Sequence, residues 1–410
     1  MANFAHIQDY NVKGAPHPPG ALPLLPRKQG LVIAIGLLCL AYLAFLAFQN
    51  GPVNHVGAVM VGGFAGFALY HASFGFTAAW RRMVVERRGN GLRAQMMLVA
   101  LTCSMSFLLL DYGRFVSLPW FGGQTWSLET HGFVNPWGMG SAIGAFMFGF
   151  GMMFGGGCAS GTLFTSGGGS SRMMITLFFF IIGSVLGTHD IDFWQGLPHF
   201  APFSFVEIFG APGALAIFLP VLAAIYFGSI LIEKRQWGAI EGLGRTESLL
   251  TGIWSKRLGA LALVVVSIGT LIVLHRPWGI TSGFAFWGAK MFDSVGIPVA
   301  SWPAWSAEAL SRSVFADATS LMNFGIILGA MIAAGLAGKW KPALRISARD
   351  LFTAILGGLL MGYGARLSYG CNIGAYLGGL VSGSMHGWWW LIFGFVGSVL
   401  GIRTKARFNL

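Results

Sequence analysis

Two short segments set a cysteine among glycines: GGGCASG around Cys158 and YGCNIG around Cys371. A thiol is a weak hydrogen-bond donor and acceptor, and its deprotonated form is a nucleophile. With Gly157 and Gly370 directly before them, both thiols are open to approach by a small molecule. Asn372 adds an amide beside the second thiol, able to donate to an oxyanion or to cap a helix start. Arg366, five residues before Cys371, is the one charge in the apolar run from Leu351 to Leu367. An arginine inside a bilayer costs at least ~2.5 kcal/mol at its centre and so suggests a countercharge for an anion; the alternative is a side chain that snorkels to the interface. Cysteine is also a small apolar residue that packs well in crowded glycine-rich helices. That reading fits Cys39 and Cys103, which stand among Leu, Ala and Met. His71 and His386 read as structural histidines at span ends. The chain has no Cys-x-x-Cys or Cys/His ligand spacing and no G-x-x-x-x-G-K-[ST] loop. A metal site, a cofactor and ATP hydrolysis by the chain itself are therefore not expected.

The elements that position these residues are apolar. Of 410 residues 55% are hydrophobic and 10% charged, against about 25% charged in a soluble domain. At about 20 residues per crossing this is enough for roughly ten transmembrane helices. Long unbroken blocks such as LALVVVSIGTLIVL exclude the alternating pattern of a membrane barrel. The expected fold class is an all-α polytopic membrane protein. Its expected spans are 31–48, 55–79, 95–110, 139–154, 173–187, 213–232, 258–274, 321–337, 351–367 and 388–401. The net charge of +12 does not point to nucleic acid, because Lys and Arg gather in short loops after alternate spans: Arg81 to Arg93, Lys234 to Arg257, Lys339 to Arg349 and Arg403 to Arg407. By the positive-inside rule these loops and both termini are cytoplasmic. Residues 1–30 read as a cytoplasmic tail, 31–232 as a first membrane repeat, 233–257 as a cytoplasmic linker and 258–410 as a second repeat. Trp388, Trp389 and Trp390 read as an aromatic belt. The run RRMVVERRGNGLR is an orientation signal that could also meet anionic lipid or a soluble cytoplasmic sulfur-carrier protein.

The repeat is visible in the residues. Ser141 to Ser166 aligns without gaps within Phe352 to Gly379, so that Gly144, Gly149, Gly151, Gly157, Cys158 and Gly161 fall on Gly357, Gly362, Gly364, Gly370, Cys371 and Gly374. One inserted residue later, GSVLG from Gly183 falls on GSVLG from Gly397. The loop charges make the two copies inverted in the membrane. Inverted repeats with glycine-interrupted helices are the pattern of transporters, with the substrate path at the repeat interface. Irregular backbone at membrane depth survives only where it lines a cavity or is buried in protein.

GFGMMFGGGCASG and GYGARLSYGCNIGAYLGG, each followed by a helix carrying GSVLG, resemble the two sulfur-transport repeats of the YeeE/YedE family. The resemblance runs from about His55 to Arg403. It implies an hourglass-like inner-membrane protein of about ten transmembrane or re-entrant helices in two inverted repeats. It further implies import of a small sulfur-containing anion, thiosulfate first, whose sulfur meets cysteines at a constriction. The matching positions are Cys158 and Cys371, with Gly157, Gly370, Asn372 and Arg366 around them. The family often carries a further cysteine in an R-x-x-F-C-F-T-x-A-x-R stretch; HASFGFTAAWRR is similar, with Gly75 at that place. Two alternatives stay open: a membrane sulfurtransferase that forms a cysteine persulfide, and transport of a selenium compound. A structural scaffold fits the duplication less well.

Overall fold

The computed structural model describes residues 28–119, 125–342 and 345–408. Most of the expected tail lies outside them. The described chain is built of helices: α1 Gly30–Asn50, α2 Asn54–Ala72, α3 Phe76–Val85, α4 Asn90–Tyr112, α5 Met139–Gly155, α6 Ala159–Gly167, α7 Ser171–His189 and α8 Ile191–Gln195 come first. There follow α9 Phe205–Trp237, α10 Lys256–Leu274, α11 Thr281–Ser294, α12 Ala307–Ser311, α13 Ala318–Leu336, α14 Ala348–Leu367, α15 Gly378–Val381 and α16 Met385–Arg407. A π-helical turn, Asn372–Leu377, joins α14 to α15. Strands amount to two short antiparallel pairs. Several starts carry a side-chain cap: Ser170, Ser204, Ser255 and Ser347 accept from the amide three residues on, and Asp317 does the same at α13. Each cap satisfies one of the orphan N–H groups of a helix start.

Among the described residues ten helical segments are long and apolar enough to cross a membrane, and each expected span falls on one of them. The protein is a multi-pass helical membrane protein. Two expectations need correction. The second span is not one helix: it breaks at Ser73–Gly75, where Ser73 takes a left-handed φ of 43° and α3 starts afresh at Phe76. And α11 was missed, because its 14 residues include Lys290 and Asp293 and are too few for a crossing.

The aligned glycines are where the helices meet. A Cβ at Gly149 would strike the Gly394 carbonyl, and one at Gly362 the Phe180 carbonyl; Gly183 lies on the Leu359 carbonyl and Gly397 on that of Phe146. In the alignment these are the same two contacts made twice, so α5 packs on α16 as α14 packs on α7. Between α5 and α14 the pattern is reciprocal, Gly144 on Gly364 and Gly357 on Gly151. Small residues allow this close approach, and close packing is what holds helices together in a bilayer.

The stretch between α9 and α10 is docked. The Trp254 amide donates to the His71 carbonyl at 3.0 Å, its ring stacks on His71, and Gly252 O lies 2.9 Å from the His71 ring. Glu233, fully buried, holds Arg93 at 2.6 Å and Arg88 at 3.2 Å, while Arg82 pairs with Glu86 and Glu241. The basic run after α3 is thus largely folded into ion pairs.

Candidate functional site

Both cysteines sit at breaks with nearly the same backbone. Cys158 ends the turn after α5 with φ −81° and ψ −173°; Cys371 ends the turn after α14 with φ −101° and ψ −167°. Glycine is required at two places. Gly156, the residue before the expected Gly157, takes φ +84° and its missing side chain leaves room for the Arg172 guanidinium, which donates to the last carbonyls of α5. Gly370 takes φ +151° with the Ala375 amide 2.7 Å from where a Cβ would stand. Left-handed backbone of this kind costs a side-chain-bearing residue of order 1–3 kcal/mol.

The thiols are buried, Cys158 at 1% and Cys371 at 0% exposure. Cys158 Sγ lies 3.4 Å from Ser160 Oγ, and Cys371 Sγ accepts from the Ile373 amide at 3.4 Å. Both neighbours are neutral. The two cysteines are within electrostatic reach of each other, and α6 packs on the π-helical turn. π-helical turns occur disproportionately at functional sites, because the wider turn gives up regular hydrogen bonds.

Beside Cys371 the polar groups are unsatisfied. Asn372 is fully buried and neither its Oδ1 nor its Nδ2 has a partner; the Tyr376 hydroxyl, one turn on, is buried and unpaired as well. An unpaired buried polar group costs about 1–3 kcal/mol, so three such atoms around one thiol mark a place shaped for something that is not protein. Aromatic rings wall it: Tyr376 stacks on Trp390 at 6.1 Å and meets Phe76 and Trp80 at 5.7 and 6.3 Å.

Trp390 corrects the aromatic-belt expectation. It is buried, and its indole N–H donates to Ser368 Oγ at 3.1 Å and the Gly370 carbonyl at 3.3 Å, bracing the turn that carries Cys371. Its place on the inward face of α16, packed on Phe148 of α5, removes it from the bilayer interface. Tyr376 and Trp390 escaped sequence reasoning; the YGCNIGAY spacing carried the only signal for the tyrosine.

Arg366 stands apart from the thiols. Its stem packs on Gly187 of α7, while Gly364 and Leu367 of the same turn face α5. Its Nε is buried without a partner, and the arginine forms no ion pair among the described residues. Of the histidines, His386 is satisfied by Ser384 Oγ at 2.7 Å. Cys103 donates to the Leu380 carbonyl at 3.5 Å as part of the packing around α15, and Cys39 is exposed.

Comparison with known proteins bears on the whole of this arrangement. A family model described as sulphur transport matches residues 71–400. Over 86% of this chain and 93% of the relative, the sequence is 25% identical to the thiosulfate transporter TsuA of Escherichia coli (strain K12). It is 28% identical, over 63% of this chain and 76% of the relative, to the thiosulfate transporter TsuA of Spirochaeta thermophila. A probable transporter YedE of Escherichia coli is 29% identical over 39% of each chain; the match thus spans about two fifths of the YedE relatives' length.

Proposed function

Since the chain belongs to the sulphur transport family, we propose that it imports a small sulfur-containing anion, thiosulfate first among them, across the inner membrane. The observation that carries this reading is the cluster of buried thiols, unpaired Asn372 amide and unpaired Tyr376 hydroxyl at two matching helix breaks. A thiosulfate ion has two chemically different ends. Its terminal sulfur suits the weak S–H donors of Cys158 and Cys371, and its oxygens suit Asn372 Nδ2 and the Tyr376 hydroxyl. The amides that open α6 and the π-helical turn add positive potential, and the uncompensated Arg366 draws the anion toward the bundle.

In this reading the two repeats are inverted, both termini are cytoplasmic, 31–232 and 258–410 are the repeats, and the thiols form the narrowest point of an hourglass. Both thiols are buried in the present conformation, so passage requires the two turns to part. Covalent sulfur transfer is the weaker reading: the thiols' hydrogen-bond partners are neutral, whereas reactive cysteines sit in electropositive surroundings. The test is growth and uptake. A strain lacking every other sulfur importer and expressing this chain should grow on thiosulfate as sole sulfur source and accumulate the labelled anion. Absence of uptake with the protein present in the membrane refutes the proposal.

A further inference from the structure

The face of α3 turned away from Tyr376 borders a polar recess. Phe76 and Trp80 point toward the Cys371 turn; Gly75, Ala79 and Arg82 lie on the opposite face by helical periodicity and line a cleft of about 400 Å³, together with Asn90, Gln95 and Lys256. The walls carry two cations and no carboxylate.

Gln95 is the telling residue. It is 1% exposed, its Oε1 accepts the Trp80 indole N–H at 3.0 Å, and its Nε2 has no partner. The bond from Trp80 fixes the amide's orientation, which leaves a buried donor on a wall of the cleft. Lys256 Nζ donates to the Ala72 and Ser73 carbonyls, each at 3.0 Å, and has a third hydrogen to give. No side chain caps α3, so its first amides are open donors. A Cβ at Gly75 would meet nothing within 4 Å: the place holds space. The mobile anionic group closest to these donors is the chain's own, for Glu241 binds Arg82 at 3.0 Å while partly exposed.

We infer that this recess is a second anion site, which holds the oxygens of a small sulfur oxyanion by Gln95, Lys256 and Arg82, and that Glu241 is a tethered carboxylate competing for Arg82. The identity of the anion rests on the transport reading; the site's preference for oxyanions does not. Here recognition uses charge and an amide, with no thiol. A carboxylate that reclaims Arg82 gives the bound anion a way to leave.

Isosteric exchanges test this. Equilibrium binding of radiolabelled sulfate, which has oxyanion oxygens and no terminal sulfur, is measured on the full-length protein in nanodiscs of neutral lipid, alongside thiosulfate uptake in cells. Glu241→Gln should tighten sulfate binding about threefold, the scale of a partly exposed ion pair. Gln95→Glu should weaken it at least about tenfold, since it sets a buried negative charge against the anion. A gain in affinity cannot come from misfolding. If the wild type does not bind sulfate, or both variants bind it as the wild type does, the site is refuted, and intact thiosulfate uptake would then leave the transport reading standing. If the affinities shift as stated and thiosulfate does not enter, the site stands and the substrate reading fails.

Discussion

At the scale of single residues, the account turns on atoms without partners. Asn372 contributes two, buried beside Cys371, and their cost is the kind a binding site bears when empty. Stability and function should therefore separate on substitution. Asn372→Leu replaces an unpaired amide by an apolar group of similar volume, so it should leave the thermal midpoint unchanged or raise it, by about 1 kcal/mol at most, while thiosulfate uptake falls severalfold. A thermal-shift assay beside uptake reads both; a large loss of stability would show that the amide is structural. The cysteines, the asparagine and the glycines were legible in sequence because they recur in register. Tyr376 and Gln95 were not, since an unpaired group is defined by what fails to surround it, and that is fixed only by packing. Gly157 was legible as a glycine, yet the left-handed position belongs to Gly156, one residue away.

At the scale of elements, length and apolarity placed the ten spans, because a bilayer imposes a long run of apolar residues on each. The breaks were harder to read. The turns at Cys158 and Cys371 announced themselves by glycine, whereas the Ser73–Gly75 break lies in a run that stays apolar on both sides, and only the left-handed Ser73 and the restart at Phe76 reveal it. Trp390 shows how one element supports another: a helix that follows the π-helical turn reaches back to hold it. Trp390→Phe keeps the ring and removes the N–H, freeing Ser368 Oγ and the Gly370 carbonyl. The expected effect is a loss of about 1–2 kcal/mol with amide hydrogen exchange accelerated in 368–377 and unchanged in α5. Uniform acceleration across the bundle would mean that the indole supports packing in general.

At the scale of the whole molecule, the duplicated glycines make duplicated contacts. Gly149 on Gly394 repeats as Gly362 on Phe180, and Gly397 on Phe146 repeats as Gly183 on Leu359; the sequence alignment pairs the same positions. The two halves therefore contribute one thiol each to neighbouring turns, and the central claim is that these thiols touch a passing anion without bonding to it. Uptake by the purified protein in liposomes, compared for wild type, Cys371→Ser and Cys371→Ala with intact mass recorded after exposure to thiosulfate, tests that claim most directly. A hydroxyl retains a donor in a similar volume but forms no persulfide. The account predicts measurable uptake with Ser, less with Ala, the same order at Cys158, and no added sulfur on the wild type. Equal loss with Ser and Ala, together with a sulfur adduct on the wild-type chain, would contradict it.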